Sequence, residues 1–132
     1  YYMQGLNTTA NHGHAALFGV YGMLGLGLVL YCMRGLTNPR IWNQRLLSIA
    51  FWCLNIGLAM MTFLSLLPQG LWQTYVSFNE NYAAARSAEL MHHPIMEGLV
   101  WARVPGDVVF AVGVGAFVLF AVKAFGGSRR RA

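Results

Sequence analysis

Apolar residues in this chain gather into long, uninterrupted runs, without the alternation of a strand or the narrow stripe of a surface helix. Residues 15–33 carry no charge, nor do residues 46–67, and a third run over 108–122 extends past Lys123 to Phe125. A helix crosses the ~30 Å apolar layer of a bilayer with roughly 17–25 mostly apolar residues. The pattern therefore predicts three transmembrane helices, at about 9–34, 44–67 and 105–125, the third being the weakest. Thr8, Thr9 or Asn11 is expected to cap the first helix. Gly35, Asn38 and Pro39 mark a turn after it, with Trp42 at interface depth. Pro68 and Gly70 are expected to end or kink the second span, with 71–75 continuing as interfacial helix. Between the second and third spans lies a polar segment, 68–104, in which 83–90 is helix-prone. Pro105 suits the first turn of the third helix, and Asp107 is favoured there by the helix dipole.

Composition agrees with the pattern. The chain is 57 % hydrophobic and 10 % charged, against about 25 % charged in a soluble domain, so it is expected to be a membrane protein. The first run has no basic segment before it and is too long for a signal peptide. A chain that begins at Tyr1, directly before such a helix, is expected to be the C-terminal piece of a longer protein. Seven of the nine Lys and Arg residues flank one side of the spans: Arg34, Arg40 and Arg45, then Lys123, Arg129, Arg130 and Arg131. All four acids lie between spans two and three, as do Arg86 and Arg103. The positive-inside rule places the 35–45 loop and the C-terminus in the cytoplasm, and the N-terminus and 68–104 outside. Basic residues flanking spans account for the net charge of +5 without nucleic acid as a partner. Cys32 and Cys53 fall at different depths, so they are expected to be small buried hydrophobes, not a disulfide.

Candidate chemistry centres on His12-Gly13-His14. At ~100° per residue, positions i and i+2 point about 200° apart. The two imidazoles thus cannot chelate one ion from one face, but they can serve two pockets on opposite flanks of one helix. Two flat iron macrocycles suit that geometry, and haem is the one usually held by histidine. Gly13 keeps side-chain bulk away from both. Ala16 and Gly19 follow His12 at i+4 and i+7, where a ring plane needs clearance; Phe18 and Tyr21 follow His14 in the same way, as ring contacts or as a plain core stripe. Asn55, in mid-membrane, needs a partner, expected on a neighbouring helix. Arg103 and Asp107 are spaced to pair, and His92-His93 fit solvated loop histidines.

The stretch Asn7-Thr8-Thr9-Ala10-Asn11-His12-Gly13-His14-Ala15-Ala16-Leu17-Phe18-Gly19-Val20-Tyr21-Gly22-Met23 resembles the tenth core helix of the haem-copper oxidase superfamily. Its glycine between the histidines resembles the nitric oxide reductase branch, and the quinol-dependent form above all. Asn55-Ile56-Gly57-Leu58, Ser65-Leu66-Leu67-Pro68, Ala85-Arg86-Ser87-Ala88-Glu89 and Arg103-Val104-Pro105-Gly106-Asp107 are similar to the same form; 79–84 and 90–98 depart from it. The resemblance implies an all-α integral membrane fold in which these three helices belong to a larger haem-copper oxidase-like bundle. It implies His12 as proximal ligand of a high-spin, catalytic haem b3 and His14 as an axial ligand of a low-spin haem b. The ligands of a non-haem iron would lie on earlier helices of the parent chain, so this piece alone would be inactive. Implied partners are the lipid bilayer, the remaining helices, NO and quinol, with Asp107 as the candidate quinol contact, and the implied location is the bacterial inner membrane.

Two other readings compete. An oxygen-reducing haem-copper oxidase shares the His-x-His pair but commonly has an aromatic between the histidines, where this chain has Gly13. A non-enzymatic three-span protein could carry histidines that merely hydrogen-bond. Further histidines and a glutamate on upstream spans would distinguish the reductase.

Overall fold

The computed structural model describes residues 3–38, 40 and 42–129, with side chains described to Gly127. Pro39 of the turn and Arg130 and Arg131 of the basic tail lie outside the described residues. Three rods dominate: α1 (Asn7–Leu36), α2 (Gln44–Asn79) and, beyond the loop, α5 (Val104–Arg129). Two short helices, α3 (Ala88–Met91) and α4 (Pro94–Trp101), lie between α2 and α5. All the described regular structure is helical, as a hydrocarbon environment requires when each span must satisfy its own backbone groups.

The rods are joined by side-chain caps. Asn43 opens α2 by accepting the Leu46 N–H at 3.1 Å. In the turn before it, Trp42 Nε1 donates to Thr37 Oγ1 at 2.9 Å, and that hydroxyl donates to Met33 O at 2.8 Å. The Trp42 ring stands edge-on to Phe120 of α5, 5.2 Å between centroids. Met33, Phe120 and Ala124 form the buried cluster at this turn-bearing end. Ser87 caps α3 and His93 caps α4, each accepting a backbone N–H two or three residues on. The helix-prone 83–90 stretch is thus split at Ser87, whose extended backbone suits a cap and not a helix interior.

α2 and α5 pack most closely. A Cβ added to Gly57 would lie 2.6 Å from Phe110 N, and one added to Gly113 would lie 2.8 Å from Leu54 N. Backbones approach this closely in membranes because lipid tails offer no hydrophobic drive, so van der Waals contact between small residues must hold helices together. α1 is the least covered rod; 6 % of its most apolar stretch is buried.

Of the two outcomes expected at Pro68, the helix does not end there: α2 runs on to Asn79 and takes in the helix expected over 71–75. Met61–Leu66, directly before the proline, is wound as a π-helix, and this wider winding re-phases the backbone where Pro68 cannot donate. α1 is also π-wound, over His14–Gly22. A Cβ at Gly19 would meet Leu58 Cδ2 at 3.3 Å, so Gly19 packs on α2. Tyr21 is 67 % exposed.

Three smaller expectations are corrected. The N-cap position of α1 is Leu6, without a side-chain cap. Thr8 and Thr9 instead donate back to Met3 O at 3.2 and 3.1 Å. Asn55 is exposed and satisfies its amide within α2, Nδ2 to Phe51 O at 2.8 Å. Both cysteines are free, and Cys32 is exposed where burial was expected.

Candidate functional site

The local chain places the two histidines differently, as the i, i+2 spacing requires. His12 lies in the α-wound start of α1 and is exposed. His14 is the first residue of the π-wound segment and is half-buried, facing a cleft between α1, α2 and α5. The cleft measures about 520 Å³ and is walled by Leu17, Phe18, Leu58, Met61 and Phe110. Phe18 and Phe110 meet edge-on across it, 4.7 Å between centroids. Of the two aromatics expected beneath His14, Phe18 is there and Tyr21 is not.

The hydrogen bonds of His14 determine its tautomer. Nδ1 lies 2.9 Å from Ala10 O, which can only accept, so Nδ1 carries the proton. Nε2 then presents a lone pair to the cleft, where Arg103 Nη2 donates to it at 3.4 Å. A guanidinium can only donate, so both partners require the same tautomer. An imidazole that donates one nitrogen to a backbone carbonyl and aims the other into an apolar cleft is oriented as metal-bound histidines commonly are.

Arg103 Nε also donates to Asp107 Oδ1 at 3.2 Å, the i, i+4 pairing expected at the start of the third helix. Both side chains remain about 40 % exposed and both line the His14 cleft. The charge pair therefore sits at the mouth of the pocket, with apolar walls behind it. Sequence reasoning paired Arg103 with Asp107 but did not connect Arg103 with His14, 89 positions away. Periodicity carries no signal for that contact.

Among the described residues, no three His, Cys, Asp or Glu side chains converge on one point. A metal here would have one imidazole from this chain on each flank of α1, with its other ligands supplied from elsewhere. A macrocycle meets that requirement. Gly13 suits it as well, because it lines the cleft and a Cβ there would meet nothing within 4 Å. The donor set and the tautomer fit a haem at His14 provided that Arg103 Nη2 gives up its 3.4 Å contact with Nε2, whose one lone pair the iron would need; at His12 the fit rests on its exposed position.

His92 and His93 each have a partner close by in sequence. His92 Nδ1 lies 3.3 Å from Glu97 Oε1 on an exposed surface. His93 accepts the Ile95 N–H at 3.3 Å and stands edge-on to Trp72, 5.0 Å between centroids. Both are solvated, as expected of loop histidines, and the helix-capping role of His93 is an addition.

Comparison with known proteins agrees with this geometry. The family model described as "Cytochrome C and Quinol oxidase polypeptide I" matches residues 1–109, and the chain belongs to that family of membrane oxidoreductases, the haem-copper oxidases. Among its relatives is a nitric oxide reductase subunit from Stutzerimonas stutzeri, 30 % identical over 118 residues. That match covers 86 % of this chain and 24 % of the relative, so the chain spans about a quarter of the relative's length. Membership implies haem cofactors and a multi-pass bilayer location, consistent with the three long apolar helices.

Proposed function

We propose that this chain forms part of the catalytic subunit of a nitric oxide reductase of the quinol-dependent type, reducing two NO to nitrous oxide and water. The observation that carries the reading is His12-Gly13-His14 on α1, with one imidazole exposed and the other aimed through Nε2 into an apolar cleft. His12 would hold a high-spin haem b3 and His14 a low-spin haem b; bound there, the two haems would supply the site of NO reduction and an electron relay beside it. Residues 12 and 14 lie two apart on one helix, so the two imidazoles are held by backbone and not by a loop.

The chain's own residues have further roles. The Ala10 carbonyl holds the His14 ring in the ligating tautomer. The Phe18, Phe110 and Leu58 walls keep water from the low-spin site. Asp107 is the proposed quinol contact: Arg103 holds Oδ1, leaving Oδ2 to accept from a quinol hydroxyl. The ligands of a non-haem iron and the second ligand of haem b would come from other helices of the parent protein, without which this stretch would be inactive. The membrane is the bacterial inner membrane, with the N-terminus and 68–104 outward and the 35–45 loop and C-terminus cytoplasmic.

Quinol-driven NO consumption by the intact parent protein tests the reading. The reading expects NO uptake with nitrous oxide as product. Oxygen uptake without NO turnover would replace it by the oxidase reading, and absence of porphyrin by the non-enzymatic one.

A further inference from the structure

α2 buries a row of polar side chains in otherwise apolar surroundings: Thr62, Ser65, Gln69, Gln73 and Ser77, spaced by three and then by four and so on one face. Two of them take hold of α1. The first turn of α1 has no side-chain cap of its own, which leaves its backbone N–H groups in need of acceptors. Gln73 Oε1 accepts the Asn7 N–H at 2.8 Å, and Gln69 Oε1 accepts from the Asn7 side-chain Nδ2 at 2.9 Å. Gly70, between them in sequence, lets the rods close up: a Cβ there would lie 2.5 Å from Thr8 N.

The two amides are themselves held. Gln73 Nε2 donates to Ala85 O at 3.2 Å, and Gln69 Nε2 to Ser65 Oγ at 2.8 Å. Both glutamines are 4 % exposed, and Ala85 is fully buried. A carbonyl can only accept and a backbone N–H can only donate, so one orientation of the Gln73 amide satisfies both of its neighbours. Gln73 thus ties α1 both to α2 and to the segment that follows α2. No residue of Asn7–Gly13 is buried, and farther in α1 is poorly covered, with 6 % of its most apolar stretch buried.

Rotation of α1 about its axis decides where both histidines point. His14 lies seven residues after Asn7, ~700° or nearly two full turns, and so shares the Asn7 face; His12, five residues on, points ~140° away. The exposures agree, His14 being half-buried and His12 exposed. The axial distance from Asn7 to His12 is ~7.5 Å, too short for the helix to absorb a twist. A side-chain tip about 5–6 Å from the axis moves roughly 1 Å for a turn of ~10°, whereas a ligating group has to be placed to within about 0.5 Å. We propose that Asn7, Gln69 and Gln73 are positioning residues: they clamp the rotation of α1 and so set the aim of both imidazoles at once. This role rests on the haem-ligand assignments proposed for His12 and His14. Because the two rings lie on opposite flanks of one rod, a single turn of it disturbs both haems together, although none of the three side chains lines the His14 cleft.

Clamp and aim are tested separately in the intact parent protein. In Gln69→Leu the Asn7 side chain loses its acceptor; Gln69→Glu keeps one, and the Ser65 hydroxyl can donate to it or accept from it. Resonance Raman reads the iron–imidazole stretch of the reduced high-spin haem, and electron paramagnetic resonance reads the oxidised low-spin haem. Both signals should shift in Gln69→Leu and return in Gln69→Glu. Amide hydrogen exchange at residues 7–9 should quicken about tenfold or more in Gln69→Leu, as loss of a buried hydrogen bond implies. Faster exchange with both haem signals unchanged would make the three residues purely structural and overturn the positioning role. Unchanged exchange would overturn the clamp, and a shift of one haem signal alone would overturn the shared rotation. Asn7→Ala, which keeps its backbone N–H on Gln73, is the milder variant should Gln69→Leu fail to assemble, and the same outcomes decide it. A parent protein without porphyrin would overturn the ligand assignments, while the clamp would still stand or fall by the exchange rates.

Discussion

Gly57 offers a test in which two physical effects have opposite signs. Alanine at a helical glycine ordinarily stabilises by about 0.4–1 kcal/mol, because it restricts the unfolded chain. At Gly57, however, the new methyl would lie 2.6 Å from Phe110 N and 2.8 Å from Phe110 Cα, both backbone atoms of α5 that no rotamer change can move. Recovering ordinary contact requires α5 to retreat by roughly 0.8 Å, and overpacking of this kind costs about 1–3 kcal/mol. The clash wins, and Gly57→Ala is expected to be net destabilising. Phe110 also lines the His14 cleft, so the displacement should reach the low-spin haem proposed there. The assay is thermal unfolding of the detergent-solubilised intact protein, with its optical spectrum recorded alongside. Gly98→Ala serves as control, because a Cβ there meets nothing within 4 Å. Gly57→Ala should lower the unfolding midpoint and broaden the low-spin band; Gly98→Ala should leave both or raise the midpoint slightly. A Gly57→Ala protein as stable as Gly98→Ala, with an unchanged band, would refute the close approach of α2 and α5.

Other substitutions separate the remaining roles. Gln73→Leu leaves the Asn7 N–H and Ala85 O without their partner, at a cost of about 1–3 kcal/mol per buried group; hydrogen exchange at residues 7–9 should accelerate, and unchanged protection would show that α1 is held at this end by other contacts. Asp107→Asn should weaken quinol-driven activity more than activity with an artificial electron donor, and equal losses would count against a quinol contact. His92→Ala removes an exposed pair with Glu97, worth at most about 1 kcal/mol, so the unfolding midpoint and both haem spectra should stay the same. A spectral change would indicate a ligand role that the geometry does not show.

The three spans were legible because uncharged runs of that length have few other uses. The histidine pair was legible because a turn of ~100° per residue separates positions 12 and 14 whatever surrounds them. The π winding of α1 and α2 was not legible, since hydropathy cannot distinguish i→i+4 from i→i+5 winding. Pro68 left an end and a kink both open, because proline removes a helix hydrogen bond in either case, and the π-wound turn before it leaves no mark in composition. The buried row from Thr62 to Ser77 has helical spacing in the sequence, but averaging over an apolar window hides it. Asn7 with Gln73 and His14 with Arg103 join positions 66 and 89 apart; such pairs arise only when the rods pack.

The central claim is that one helix presents two imidazoles to two different haems. The optical spectrum of the intact parent protein, reduced and then exposed to NO, tests it through His12→Ala and His14→Ala. Loss of the low-spin signal in His14→Ala alone, and of high-spin haem and its NO response in His12→Ala alone, is the predicted result. Both signals surviving both substitutions, or a parent protein without porphyrin, would contradict it.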